Sequence, residues 1–343
     1  MNQKTKEVVG MLRVKNNLLT GFVVMSVMLF HSAQADAFAF QDRVATAKSL
    51  AHYAMGQVYD LVGDAKRATL EYKVASQFDP SSYLIRLRLG VDYARLNMLT
   101  EAIEELKLVA VYNTEELQSH YLLALIFTSM KDYDKAAKEY EYILKTFSDN
   151  DPKNIEIYGY LGQLYYSQRK YSQAIKQFKK IYELEPENTD VMYLLGSLYV
   201  EMNEVQRALN VLNKSIRIDP NHDGSLNTLA YIYAEEESEL DLALEYSKLA
   251  IKLAPESGAY LDTLGWVYYK RAEYEEARDT LLKADSILKD AVIHDHLGDV
   301  YLKLNQLEEA IKYWEKSLEL QPDQEKIAHK LNKARNSTAH QQK

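Results

Sequence analysis

The sequence predicts an all-α fold, a right-handed α-solenoid of about eight helix-turn-helix units, and three phased residue classes predict it. An alanine recurs as Ala68, Ala102, Ala136, Ala174, Ala208, Ala243, Ala277 and Ala310. Twelve residues before each, or thirteen in one case, stands a small residue: Gly56, Gly90, Ala124, Gly162, Gly196, Ala230, Gly265 and Gly298. Three residues after each small residue comes an aromatic: Tyr59, Tyr93, Phe127, Tyr165, Tyr199, Tyr233, Tyr268 and Tyr301. Self-similarity at this period means supersecondary units that bury their apolar faces on their neighbours rather than around one deep core.

The first 35 residues stand apart from this pattern. Lys4, Lys6, Arg13 and Lys15 precede an apolar run from Leu18 to Phe30, and Ala33-Gln34-Ala35 follows before Asp36. That order is the one a secretory signal peptide has, and it implies export. The alternative is a retained membrane anchor, for which thirteen apolar residues are short against the roughly 20 that span a bilayer. Residues 36–48 read as a lead-in, and the units follow at 49–82, 83–116, 117–150, 155–188, 189–222, 223–257, 258–290 and 291–324.

Within a unit, the fourth, seventh, eighth and eleventh positions are apolar or small, as in Tyr158, Leu161, Gly162 and Tyr165. That i, i+3, i+4, i+7 spacing is one stripe of a helix. A polar turn such as Gln168-Arg169-Lys170 comes next, and a second stripe runs through the phased alanine, as in Ala174, Phe178 and Ile181. Pro80, Pro186, Pro220, Pro255 and Pro322 each lie twelve residues after a phased alanine, where the ring ends the second helix. The remaining proline, Pro152, belongs to a turn-rich insert, Ser148-Asp149-Asn150-Asp151-Pro152, between the third and fourth units. Residues 325–335 read as a capping helix with Ile327, Ala328 and Leu331 facing inward, and 336–343 as a disordered tail.

A small residue at position eight, an aromatic at eleven, alanine at twenty and proline at thirty-two resemble the tetratricopeptide repeat (TPR) family. The strings LNTLAYIYAEE (226–236), DTLGWVYY (262–269) and HDHLGDVYLKLNQ (294–306) look like those of bacterial exported TPR proteins. The resemblance implies a scaffold or adaptor in envelope, pilus or secretion-system assembly, in the periplasm or attached to the envelope.

Chemistry finds little purchase here. Cysteine is absent, which removes disulfides, thiolate metal sites and a cysteine nucleophile together. No phosphate-binding glycine loop, GxGxxG, GxSxG or HExxH occurs, so the expectation is a protein without enzymatic activity and without cofactor or metal. His294-Asp295-His296 is the most metal-like string, but residues two apart on a helix diverge. The acidic run Glu235 to Glu239 reads as a solvated turn. The net charge is −9, and removing the leader's net +3 leaves −12, a poor match for nucleic acid or an anionic membrane surface.

The inner groove carries the functional expectation. Positions two, five, nine and twelve of each first helix share a face beside the buried stripe, and in TPR relatives that face contacts peptide ligands. The matching residues are Tyr53 with Gln57, Tyr121 with Leu125, Gln163 with Tyr166, and Tyr193 with Ser197. Further on come Asn227 with Tyr231, then Asp262, Trp266 and Tyr269, then Asp295 and Asp299. Tyrosine and tryptophan bury large area and keep a polar tip. None of these positions holds Lys or Arg, and the C-terminal end is acidic. The expected partner is therefore an apolar or aromatic peptide, or a helix, with some basic character. Two alternatives stand beside this: the aromatics pack between successive first helices, or the protein joins a complex through its convex face or ends with the groove unoccupied.

Overall fold

The computed structural model describes residues 41–146 and 154–341. Among them are seventeen helices and no strand. The leader, the insert around Ser148–Pro152 and residues 342–343 lie outside the described residues.

The chain divides into two compact bodies. In the N-terminal body α1 (41–61) pairs with α2 (Ala65–Phe78), α3 (Tyr83–Arg95) with α4 (Leu99–Tyr112), and α5 (Gln118–Ser129) with α6 (Tyr133–Thr146). The C-terminal body holds the pairs α7 (Asn154–Ser167) with α8 (Tyr171–Leu184), α9 (Thr189–Glu201) with α10 (Val205–Ile218), and α11 (Asp223–Glu235) with α12 (Leu240–Leu253). It continues with α13 (Gly258–Lys270) and α14 (Tyr274–Ile287), then α15 (Ala291–Lys303) and α16 (Leu307–Leu320), and ends in α17 (Glu325–Gln341). No described helix is long and apolar enough to cross a membrane.

The phased residues are the contact points of these pairs. All eight phased alanines are 0% exposed. A Cβ added at Gly56 would come within 2.5 Å of Tyr72, at Gly90 within 2.6 Å of Leu106, and at Gly162 within 2.7 Å of Phe178. Gly196 and Gly265 meet Leu212 and Leu281 in the same way, and Gly298 meets the Trp314 ring. The missing side chain on the first helix is thus filled by a large one sixteen residues later on the second, the complementarity that close packing requires. Of the phased aromatics, Tyr93, Phe127, Tyr165, Tyr199 and Tyr301 are buried. Tyr59, Tyr233 and Tyr268 are only half-buried. The Arg67 guanidinium lies 5.5 Å from the Tyr59 ring and the Lys248 ammonium 5.8 Å from Tyr268, so long basic side chains cover what protein core does not.

Five helices, α2, α8, α10, α12 and α16, stop two residues before a phased proline. Two boundaries differ from the sequence expectation. Helix is already present at 41, so residues 41–48 of the lead-in belong to α1, where Thr46 Oγ1 donates to the Asp42 carbonyl at 2.9 Å. At the other end α17 runs to Gln341, through what reads as a disordered tail. Neither segment contains a Gly or Pro to stop a helix once started. Ile327 and Leu331 are buried as expected, Ala328 is half-buried, and Ala334 joins the core with them.

Candidate functional site

In the N-terminal body the groove positions sit on α1 and α5. Tyr53 is half-buried, 5.6 Å from the Tyr72 ring and bonded to Arg88. Tyr121 is half-buried edge-on to Tyr140 at 6.4 Å, with Leu125 exposed beside it.

The C-terminal body brings more of them together. Gln163 and Tyr166 of α7, Phe178 of α8, and Tyr193, Leu194, Ser197 and Leu198 of α9 line one cleft of about 420 Å³. Tyr166 is 46% exposed at its mouth, with the Tyr171 ring 5.9 Å away. Burial, then the negative charge of Glu201, then Tyr171 and Tyr193, push the Tyr166 phenol above its ordinary value of 10.0. Burial and the carboxylates of Glu235, Asp262 and Glu201 do the same for Tyr231. Both therefore stay protonated as hydrogen-bond donors near neutral pH. Asn227, on α11 with Tyr231, is half-buried. Its Oδ1 is buried with no hydrogen-bond partner among the described residues.

From α13 onward the groove positions are used by the fold itself. Trp266 is only 9% exposed. Its indole stacks on Tyr269 at 4.6 Å on one side and on His296 of α15 at 4.0 Å on the other, and Nε1 donates to Glu235 at 2.5 Å. His296 Nδ1 lies 2.8 Å from Asp262 Oδ1. The Lys330 ammonium, from α17, donates to Asp295 at 2.8 Å and to Asp299 at 2.7 Å. Tyr269, against this cluster, is pushed up to about 12 by burial and by Asp299.

Two expectations change here. Trp266 packs between successive first helices and presents almost no surface to a ligand. The acidic end, read as the feature that orients a basic partner, is partly compensated from within: His296 pairs with Asp262, and the single Lys330 ammonium bridges Asp295 and Asp299. Glu235, read as a solvated turn residue, is tied to Trp266. His296, Lys330 and Glu235 are the residues that a helix-by-helix reading misses. The available signal was one repeat away, since His296 follows Asp262 by 34 residues and Lys330 follows Asp295 by 35. His294 and His296 do diverge: His294 Nε2 meets Asp285 of α14 at 2.8 Å, whereas His296 stacks on Trp266 of α13.

Tetratricopeptide repeat models match residues 115–187, 166–230 and 291–324. The TPR repeat-containing protein MJ1428 of Methanocaldococcus jannaschii is 35% identical over 92 residues, 27% of this chain and 16% of that protein. The BBSome complex member BBS4 of Bos taurus is 23% identical over 131 residues, 38% of this chain and 24% of its own. The chain thus spans less than a quarter of the length of either curated relative. Among solved structures, a tetratricopeptide repeat protein from Parabacteroides merdae is 17% identical with a TM-score of 0.59, over 74% of this chain and 98% of that one. The fold is the one that this structure also has. With the repeat models falling on helix pairs whose contacts are the phased small residues and alanines, the chain belongs to the tetratricopeptide repeat family.

Proposed function

We propose that this protein is an exported, non-enzymatic scaffold or adaptor that takes a peptide or helix of a partner protein in the α7–α9 cleft. The setting is envelope, pilus or secretion-system assembly in the periplasm of a bacterium. The cleft carries the proposal: it is lined by Tyr166, Tyr193 and apolar side chains, and its mouth is open at Tyr166. An aromatic or aliphatic side chain fits that lining, because aromatic burial supplies most of the energy of such anchors. Glu201, whose charge reaches both Tyr166 and Tyr231, supports a basic residue beside the anchor, whereas Asp295 and Asp299 are already bridged by Lys330. The leader, ending at Ala33-Gln34-Ala35, supports export.

The test is capture from native envelope, identification of the bound protein, and titration of that protein against the double variant Tyr166→Ala/Tyr193→Ala. A loss of about 30-fold or more in affinity, with unchanged helical circular dichroism, is expected from two truncated anchors. Unchanged affinity in the folded double variant removes the cleft from the function.

A further inference from the structure

The C-terminal ends of α1 and α3 bring two carboxyl groups together in the N-terminal body. Arg95 Nη1 donates to Asp60 Oδ1 at 3.1 Å and to Asp92 Oδ1 at 3.2 Å, so one guanidinium nitrogen serves both. Tyr72 of α2 donates its hydroxyl to Asp60 Oδ2 at 2.7 Å. Both oxygens of Asp60 are thus supplied with donors. Asp92 is not so supplied. It is only 1% exposed, and its Oδ2 is buried with no hydrogen-bond partner among the described residues. An ionised carboxylate there leaves a buried negative charge half satisfied, an arrangement that interiors avoid.

The two carboxyl groups lie within hydrogen-bonding reach of each other. Two carboxylates have no proton to share, whereas a carboxylic acid donates to a carboxylate. A proton on Asp92 Oδ2, donated to Asp60, satisfies the orphan oxygen and turns a repulsion into a charge-assisted bond. The surroundings favour that state. Burial, then Asp60 by hydrogen bond and by charge, push Asp92 up to about 7 against the pull of Arg95. Both carboxyls also sit in the last turn of their helices, where the partial negative charge of the carbonyl ends opposes ionisation.

We propose that Asp60 and Asp92 form a proton latch between α1 and α3, an acid–carboxylate pair that ties the first helix pair to the second and lets go when its proton leaves. The proton belongs to the pair rather than to either residue. Around it, α2 contributes Tyr72, and α3 contributes Arg95 and Arg88, the latter bonded to Tyr53 of α1. On α4 Glu105 binds Arg86, and on α5 His120 binds Glu139. The folded chain keeps the Asp92 proton at a pH where the unfolded chain has released it. The latch therefore contributes fully near the ordinary 3.8 and loses that contribution as pH rises toward about 7, above which the folded pair is itself ionised and repels. In an exported chain this makes the first helix pair responsive to pH outside the cytoplasm.

Two measurements on the full chain test the latch. Infrared spectra are expected to show a protonated-carboxyl band at about pH 6 that is gone by about pH 9 and that Asp92→Asn lacks. Arg95→Gln, which removes the competing cation, is expected to move the midpoint of that band upward. Hydrogen exchange, corrected for its intrinsic pH dependence, is expected to show α1 amides losing about tenfold or more of their protection over the same range. Asp92→Asn, whose amide donates to Asp60 at any pH, keeps that protection. Following α1 amides singly keeps the reading clear of His296, which titrates in the C-terminal body. A parent without a protonated-carboxyl band at about pH 6 overturns the latch, and that reading needs no variant to fold. A band undiminished in Asp92→Asn belongs to another carboxyl, such as Asp299, and overturns it too. So does protection in α1 that falls as steeply in Asp92→Asn as in the parent, or a band midpoint that drops on adding calcium, which would put a metal ion in place of the proton. Neither measurement depends on the α7–α9 cleft.

Discussion

Eight residues with positive φ stand at the same place in every unit, the turn between its two helices: Gly63, Asn97, Lys131, Arg169, Asn203, Glu237, Ala272 and Asn305. Left-handed backbone is free for glycine, mild for asparagine and costs other residues about 1 kcal/mol. Only one of the eight is glycine, so the polar turns were legible in the sequence but their backbone was not. Ala272→Gly is expected to stabilise the protein by about 1 kcal/mol and raise Tm by a few degrees in a thermal melt. No gain, or a loss, would mean that the added freedom of the unfolded chain outweighs the relieved strain. The sixth unit, with its extra residue, adds a second left-handed position at Glu239. The glycine ladder is the opposite case. The spacing of Gly162 from Phe178 was in the sequence from the start, because a small residue repeated against a large one is a local size code.

Individual helices decide which groove side chains stay free. α13 and α15 are held together by Trp266, Asp262 and His296, and α15 and α17 by Lys330 on Asp295 and Asp299. Burial works against a charged His296, but Asp262, by charge and hydrogen bond, with Asp295 and Asp299 behind it, outweighs burial and holds the imidazole above its ordinary 6.5. Asp299 shifts the same way, pushed up by burial and by Asp295 against the pull of Lys330. A histidine whose folded pKa exceeds its unfolded one stabilises fully below the unfolded value and loses that contribution as pH rises through the folded one. The urea midpoint of the parent should therefore fall as pH rises from 6.5 toward alkaline values, and His296→Gln should flatten that part of the profile. A slope that persists in the variant would place the titrating group elsewhere. Asp285 shows the other sign: His294 and Lys289 outweigh burial and hold it below 3.8, so its contribution is lost only in acid, as pH falls through its folded value.

At the scale of the whole molecule, each helix packs on its near neighbours in the chain, so stability is close to a sum of local terms. Leu106 of α4 is fully buried where Gly90 makes room for it. Leu106→Ala should cost about 2–5 kcal/mol within the N-terminal body, yet leave hydrogen exchange in α13–α17 unchanged. Exchange accelerated throughout both bodies would show cooperativity beyond nearest neighbours.

The sequence by itself determined the all-helical repeat, the pairing of helices and the side chains that join them. Those features depend on residues within one unit, written eight times over. Only the tertiary structure decided which of these first-helix residues stay exposed. Tyr166 is open and Trp266 is closed because of what the following helix offers: His296 stacks on Trp266, and Lys330 bridges the two aspartates beyond it. Those partners lie a full repeat away along the chain and meet only when one helix pair stacks on the next.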